Sequence, residues 1–305
     1  MSVDLDPLRC YYRIHGLGPA PAALADVVLR RALPRFAEVF ARHGVQATLF
    51  VVGDDVAARG AVGRGELTAL ARAGHELGNH SHTHPYELAR LGADAIDREL
   101  AQAEAVLAEL AGEPVVGFRA PGYDVSPTLL AALVRRGYRY DSSVFPSWPY
   151  YLAKAGVLAA MALTGRRSGS VLGDPRALLA PTEPYRPGRL PWFAGGAQLV
   201  ELPITVTRGL RLPGIGTTLL TAPGALRVLL LDQLRARRFF NFELHGLDLI
   251  DAEADGIPGE LVARQPDLRV ALTTKLRALS ATLDRLRLDY RMATLRDVAG
   301  AYASA

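Results

Sequence analysis

Cysteine and lysine are nearly absent from this 305-residue chain. The one cysteine, Cys10, rules out an internal disulfide and fits a reducing compartment. Only Lys154 and Lys275 are lysines, so 33 of the 35 basic residues are arginine, and the formal net charge is +4. This excess is open to two explanations, attraction to an anionic lipid or phosphate and the arginine preference of a GC-rich genome. Basic runs with interleaved aromatic residues are missing, which argues against a nucleic-acid partner.

Long apolar runs and a secretion signal are missing as well. The longest uninterrupted apolar run, 157–163, is too short to span a bilayer. The first residues have neither a basic start nor an apolar run, so we expect no secretory signal. Together with the lone cysteine, these features predict a cytoplasmic protein. What the chain does have is 50% hydrophobic residues, enough for a sizeable core.

Short β-like runs alternate with longer segments of helical periodicity. Strands are predicted at 2–6, 47–52, 114–119, 138–141, 199–205, 239–244 and 289–294, and helices at 21–42, 65–72, 94–110 and from Ser126 onward. This order predicts an α/β fold, a distorted (β/α) barrel of about seven strands. We find no internal repeat and no clear linker, so we treat 1–305 as a single domain.

One segment, around 145–190, interrupts the alternation and is interpreted as an insertion. It begins with an aromatic stretch at 148–151, continues apolar to Leu163, and turns basic at Arg166 and Arg167. Aromatic residues followed by arginines are typical of a peripheral membrane contact, here through 145–170. An ordinary helix packed over one mouth of the barrel explains the same pattern.

Residues 74–85, with the sequence GHELGNHSHTHP, hold four of the seven histidines. His80 and His84 are four residues apart, so on one helical turn they would face the same way and grip one divalent ion. Pro85 ends the pattern. A polar, histidine-rich loop that binds no metal is the alternative.

Other polar residues fall at the ends of predicted strands, where parallel barrels carry their chemistry. Asp4 and Asp6 alternate on the first strand, and both can reach one site if the backbone turns there. One carboxylate would then bind an ion while the other accepts a proton from water. Arg119 can pair with a carboxylate, and His245 can protonate a leaving amine. The alternatives are solvated aspartates, a surface arginine and a core histidine.

Together these residues resemble the polysaccharide deacetylase family (carbohydrate esterase family 4, NodB-like), from residue 3 to about 298. The specific segments are TLFVVG at 48–53, the histidine segment 74–85, and FRAPGY at 118–123. The resemblance implies hydrolysis of an N-acyl group, acetyl or formyl, from an amino sugar with a divalent metal, commonly Zn²⁺. It also implies roles for individual residues. His80 and His84 are metal ligands, Arg119 orients the base, and His245 is the general acid. Tyr123 and Asn79 are candidate substrate contacts.

The first motif departs from the common family pattern of adjacent aspartates. Val-Asp-Leu-Asp at 3–6 is similar to an Asp-x-Asp branch, in which Asp4 is the base and Asp6 the third ligand. That branch includes deformylases of lipid-linked sugars. A rival alignment makes His15 the ligand and removes the base. Asp141 and Glu201 are both candidate partners for His245.

Three functions are therefore carried forward from the sequence. The first is a metal-dependent N-deacylase of an amino sugar in cell-envelope glycan biosynthesis. Its substrate would be linked to a carrier lipid and reached at the inner face of the membrane. The second is a cytosolic amidase on a small non-sugar amide. The third is a barrel that binds glycan without turnover, which requires Asp4 and Asp6 to lie far from the histidine pair.

Overall fold

The fold is a single sheet of seven parallel strands with helices packed around it. The computed structural model describes residues 1–235 and 237–303. The strands are β1 (Ser2–Leu5), β2 (Thr48–Val51), β3 (Glu76–Asn79), β4 (Gly117–Phe118), β5 (Tyr140–Asp141), β6 (Val200–Glu201) and β7 (Glu243–His245). Their order is β6-β5-β4-β3-β2-β1-β7, with β6 and β7 at the edges. The sheet curls into a half-barrel, so the predicted α/β fold is confirmed.

Helices cover the outside of the sheet, as parallel strands require. Their bounds are α1 (Leu8–Ile14), α2 (Leu33–His43), α3 (Arg64–Arg72), α4 (Ala93–Ala111), α5 (Pro127–Arg135), α6 (Trp148–Leu163), α7 (Gly216–Thr221), α8 (Gly224–Leu234), α9 (Gly259–Val262), α10 (Leu272–Asp289) and α11 (Leu295–Ala303). Ser126 caps α5 as expected, because its Oγ accepts a hydrogen bond from the Leu129 backbone N–H at 3.2 Å.

The helix predicted at 21–42 is broken in the structure. Its first part is a 3₁₀ turn at Ala22–Leu24 and a π turn at Val28–Ala32, and only Leu33–His43 is α-helical. Pro34 lies in the first turn of α2 and has no N–H for the turn before it, which accounts for the irregular start. Gly44, in the left-handed conformation, ends the helix.

The strand predicted at 289–294 does not form. α10 continues to Asp289, and the chain then runs without regular structure to α11. The Tyr290 hydroxyl donates to the Leu234 carbonyl at 2.7 Å, and the Leu295 N–H donates to Thr48 Oγ1 at 2.8 Å. This segment therefore crosses the amino end of the sheet, near the start of β2, instead of pairing with an edge strand.

The predicted insertion contains α6, which lies across the carboxyl end of the sheet. Lys154 donates to the carbonyl of Gly122 at 3.4 Å, and Tyr150 packs against Tyr123 with ring centroids 6.0 Å apart. Among the helices of 1–235 and 237–303, none combines the length and the apolar character needed to cross a bilayer.

Candidate active site

Three potential ligands converge where β1 and β3 end. The Nε2 atom of His80 lies 3.1 Å from Asp6 Oδ1, and the Nε2 atom of His84 lies 3.3 Å from the same oxygen. One ligand atom from each residue lies within 4.8 Å of the others, and all three side chains are buried. The structure thus brings together the three residues that the resemblance assigned to the metal.

The hydrogen bonds around these residues leave a gap that a cation would fill. His80 Nδ1 lies 2.7 Å from the carbonyl oxygen of Arg119, so Nδ1–H donates there and the Nε2 lone pair faces Asp6. Asp6 Oδ1 and both ring nitrogens of His84 are buried without a hydrogen-bond partner. Buried acceptors that face one another without a proton between them are unfavourable. Two imidazoles and one carboxylate fit a divalent ion such as Zn²⁺ with an open fourth position.

Electrostatics favour the ligand form of two of the three residues. Burial alone would raise the pKa of Asp6, but His84 and His80 hold that pKa well below its usual value. Burial lowers the pKa of His84, which keeps the ring neutral. At His80, burial is outweighed by Asp4 and Asp6, which raise its pKa.

Residues 80–85 of the histidine segment, which follow β3, form a loop, and this corrects the helical turn expected from the spacing. Ser81 and His84 adopt left-handed backbone angles, with φ of 63° and 57°. Glu99, on α4, accepts hydrogen bonds from the backbone N–H groups of His82 and Thr83 at 2.9 and 2.8 Å. The Glu99 carboxylate thus accepts hydrogen bonds from backbone N–H groups that would bond within a helix. These bonds stabilise the left-handed backbone conformation, which non-glycine residues rarely adopt.

Asp4 and Arg119 form a buried ion pair beside the three ligands. Arg119 Nη1 donates to Asp4 Oδ1 at 2.6 Å, and the other oxygen of Asp4 lies 4.0 Å from His80 Nε2. Arg119 also donates to the carbonyl and the hydroxyl of Ser142, both at 2.8 Å, and its guanidinium lies 4.3 Å from the ring centroid of Phe50. The carboxylate is therefore fixed with one oxygen towards the ligands.

His245 faces the same region from β7, and its acidic partner is Glu243. The Nδ1 atom of His245 lies 3.1 Å from Glu243 Oε1, and Nε2 lies 2.9 Å from the hydroxyl of Tyr123. That hydroxyl donates to Glu243 at 3.0 Å, so it can accept from Nε2–H. Burial alone would lower the pKa of His245, but the charges of Glu243 and Asp4 outweigh it and raise the pKa to about 9. The contacts match an imidazolium whose two nitrogens both donate.

Asp141 and Glu201, the partners expected for His245, lie elsewhere in the barrel. Ser143 donates to Asp141, and the Val144 N–H donates to Glu201 Oε1 at 2.9 Å. Burial raises the pKa of Asp141 to about 6 and that of Glu201 well above its usual value. These carboxyls hold the loop after β5 and do not contact the histidine.

Two further expectations are corrected by the placement of Asn79 and His15. Asn79 is fully buried, and its side chain is bonded to the Ser81 N–H, the Leu100 carbonyl and the Tyr138 hydroxyl, so it holds the loop and does not face a substrate. His15 pairs with Gln265 at 2.8 Å, outside the ligand cluster, so the rival alignment receives no support. A barrel that binds glycan without turnover would require Asp4 and Asp6 to lie far from His80 and His84. Both aspartates lie beside these histidines, so that requirement is not met.

Two residues of the site, Glu243 and Glu99, were not predicted from the sequence, and a local pattern indicates only the first of them. Glu243 and His245 are two apart on a strand, so they point to the same side. That spacing was sufficient to predict the pair. Glu99 lies in the middle of a regular helix, and nothing in its neighbours marks it as the residue that holds the histidine loop.

Comparison with known proteins gives a family for part of the chain. The model named polysaccharide deacetylase matches residues 23–140. A peptidoglycan deacetylase of Helicobacter pylori is 26% identical over 155 residues, which is 50% of this chain and 51% of that protein. The chain thus matches about half the length of this curated relative. The matched residues include the histidine segment and 118–123, so the resemblance to the family is confirmed.

Solved structures share the whole fold at low identity. A Mycobacterium smegmatis protein described as a polysaccharide deacetylase superposes with a TM-score of 0.58 at 18% identity, covering 98% of this chain and 87% of the other. A structure named PuuE allantoinase gives 0.59 at 15% identity, covering 100% and 89%. At these identities the likeness establishes the fold and leaves the substrate open.

Proposed function

We propose that this chain, a member of the polysaccharide deacetylase family, removes an N-acyl group from an amino sugar by hydrolysis, with 1–305 as one catalytic domain. The observation that carries the proposal is the meeting of three groups at one end of the sheet. They are the ligands Asp6, His80 and His84, the Asp4–Arg119 pair and the His245–Glu243 pair. An amide hydrolase needs an electrophile to polarise the carbonyl, a base for water and an acid for the leaving nitrogen.

The ligand trio would hold a divalent ion, and Zn²⁺ suits two imidazoles with one carboxylate. Such an ion supplies Lewis-acid polarisation of the scissile carbonyl and of water. Asp4, fixed by Arg119, accepts the proton of the attacking water. His245 donates a proton from Nε2 to the departing nitrogen, and Glu243 holds the ring from the other side. The products are a free amine and acetate or formate.

Activity of the purified, metal-loaded protein on N-acetylglucosamine oligomers tests this function directly. Released acetate and new free amine should appear together, and both should stop on chelation and return with Zn²⁺. Asp4→Asn should lose turnover by a factor of about 10² or more and keep its metal, because only the base is removed. His80→Ala should lose the metal itself. A variant that lacks the metal but keeps full activity would exclude the proposed mechanism.

We further propose that the sugar is linked to a carrier lipid and that the enzyme works at the cytoplasmic face of a membrane. The support is α6, beside the site, whose Trp148, Leu152, Val157 and Leu163 are 42%, 58%, 54% and 89% exposed. Residues 142–173 contain no Asp or Glu and three basic residues, which suits anionic lipid. The exposed face of α6 would then lie on the headgroups and bring the site to its substrate.

Vesicle sedimentation separates this surface from an ordinary exposed helix. The protein should sediment with vesicles containing phosphatidylglycerol and less with pure phosphatidylcholine vesicles. The double change Leu152→Glu and Val157→Glu should abolish sedimentation. Leu288→Glu, at a 75% exposed position on α10, is the matched control and should sediment like the unmodified protein. Equal binding by the α6 variant and the control would remove the support for membrane contact.

A small non-sugar amide is the second candidate substrate. The observation that favours it is the superposition, over the whole chain, on a structure named as an allantoinase. Release of acid from N-acetylglucosamine oligomers with allantoin unchanged would select the sugar, and hydrolysis of allantoin alone would select the small amide.

A further inference from the structure

A second group of potential metal ligands lies next to the first. Asp4, Glu243 and His245 each offer one ligand atom, and these three atoms lie within 4.8 Å of one another. The Nδ1 atom of His245 is 3.1 Å from Glu243 Oε1. Two ligand atoms bound to one tetrahedral Zn²⁺ are roughly 3.3 Å apart, so the two side chains already lie near the separation that an ion requires.

The sheet fixes the positions of this second group. β1 and β7 pair in parallel with Asp4 opposite His245. Glu243 is two residues before His245 on the same strand, so its side chain points to the same face. Because all three residues belong to two hydrogen-bonded strands, little reorganisation is needed to bring them onto one ion.

Glu243 contributes an oxygen atom that nothing in the described part of the chain satisfies. Its Oε1 atom accepts a hydrogen bond from the Tyr123 hydroxyl, whereas its Oε2 atom is buried and has no hydrogen-bond partner. A buried carboxylate oxygen without a donor is costly. The first ligand group has the same feature at Asp6 Oδ1. A cation shared by Glu243 and Asp4 would satisfy this oxygen and reduce the repulsion between two buried carboxylates.

His245 gives an ion access to the group. Its side chain is 21% exposed, and a cavity of about 280 Å³ opens beside it. Apart from His245, the described residues that line this cavity carry no basic side chain. A hydrated cation can therefore reach the group from the cavity and keep a water molecule on its open side.

Two positive charges make the second group the weaker one. His245 must release the proton of the ring nitrogen that binds the ion, and that proton passes to solvent water. Arg119 Nη1 donates to Asp4 Oδ1 at 2.6 Å, so its guanidinium lies near the incoming cation. Within 1–235 and 237–303, Asp6 bonds to histidines and to no arginine or lysine. The first group should therefore fill before the second.

We infer that Asp4, Glu243 and His245 form a second, weaker site for a divalent ion such as Zn²⁺, and that an ion bound there inhibits hydrolysis. The inhibition rests on the proposed function, because the ion would occupy the candidate base and the candidate acid together. The active form would then hold one ion, at Asp6, His80 and His84, and excess metal would switch it off.

Titration of the metal-free protein with Zn²⁺, in competition with a chromophoric chelator, tests the second site without any assay of activity. The unmodified chain should bind two ions, the second about tenfold or more weakly than the first. Glu243→Gln should keep the tight ion and lose the weak one, because a neutral amide replaces a charged ligand. His84→Ala should lose the tight ion and keep the weak one.

Glu201→Gln is the matched control for this titration. Glu201 is another buried carboxyl of the barrel, but it does not belong to either ligand group, so both ions should remain. A single ion in the unmodified protein would overturn the second site, and that measurement requires no variant to fold. A weak ion that persists in Glu243→Gln would be adventitious and would overturn the site as well.

Activity measured against Zn²⁺ concentration tests the inhibition. Acetate release from N-acetylglucosamine oligomers should rise as the tight site fills and fall as the weak site fills, with half-inhibition near the second Kd. Glu243→Gln, assayed at pH 6 and compared with its own rate when the tight site is full, should show no such fall. A rate that stays constant while the second ion binds would reject the inhibition.

The two measurements distinguish failure of this site from failure of the proposed function. Two ions bound by a protein that hydrolyses no acylated sugar would keep the second site and reject the activity. Hydrolysis by a protein that binds one ion at every Zn²⁺ concentration would keep the activity and reject the second site.

Discussion

Replacing Glu243 with glutamine removes the carboxylate charge next to His245 and keeps the size of the side chain. Glu243 is fully buried and lies 3.1 Å from the imidazole Nδ1. The pKa of His245 is raised to about 9, compared with 6.5 for an unperturbed imidazole. A difference of this size corresponds to roughly 3 kcal/mol in favour of the protonated ring. Burial opposes that protonation, so the pKa must fall once the main opposing charge is gone.

The expected consequence is a shift in the basic limb of the pH–rate profile. If the pKa of His245 falls to about 7, the protonated fraction at pH 8 drops by about tenfold. Because the general acid must carry its proton, kcat/KM should fall about tenfold at pH 8 and stay nearly unchanged at pH 6. The assay is acetate release from N-acetylglucosamine oligomers between pH 5 and pH 10, with the metal-loaded enzyme. A bound metal ion affects the unmodified enzyme and the Glu243→Gln variant alike. The two proteins are therefore compared by the pH at which the basic limb of kcat/KM falls.

Glu201→Gln provides the matched control for this experiment. Glu201 is also a buried carboxyl inside the barrel, but its hydrogen bond comes from the Val144 N–H and it does not contact His245. Replacing the Glu201 carboxyl should leave the pH of the basic limb of kcat/KM unchanged, even if the overall rate changes. A limb that does not move in Glu243→Gln, or that moves equally in Glu201→Gln, would refute the assignment of His245 as an acid tuned by Glu243.

The other predictions concern the histidine loop, the ion and stability. Glu99→Ala should weaken Zn²⁺ binding about 10- to 100-fold in a competition titration, because the loop loses its support, whereas Glu109→Ala on the same helix should not. Chelation should lower Tm, since an ion at 100 times its Kd stabilises the fold by about 2.7 kcal/mol, and His84→Ala should remove that difference. In the folded state the pKa of Glu243 is about 7 and that of His245 about 9, both above their unperturbed values of 4.5 and 6.5. The stabilisation from this pair is therefore present at low pH and is lost as the pH rises towards 9. Tm of the metal-free protein should fall over this pH range. It should fall less steeply when Glu243 and His245 are both replaced by glutamine.

Local pattern was sufficient for most of the strands that carry the site. The buried strand at 48–51 lies in a mostly apolar run, 47–52, that Gly53 ends, and Asp6 and His80 directly follow the strands β1 and β3. Parallel strands end at a common edge, so the convergence of Asp4, Arg119 and His245 could be predicted from their predicted strands. β3, which positions His80, was not among the predicted strands.

The errors arose where tertiary contacts decide the structure. Residues 289–294 have a plausible strand composition, but hydrogen bonds to Leu234 and Thr48 hold them across the end of the sheet. The histidine spacing suits a helix, but Glu99 stabilises a left-handed loop instead.

Arg119 serves the candidate base and a candidate ligand through different parts of one residue. Its guanidinium binds Asp4, while its carbonyl oxygen accepts the Nδ1–H of His80. A side-chain replacement such as Arg119→Lys therefore disturbs the aspartate and spares the histidine. A movement of the main chain at this position would instead reorient both, so the geometry of the base and that of the ligand depend on one backbone segment.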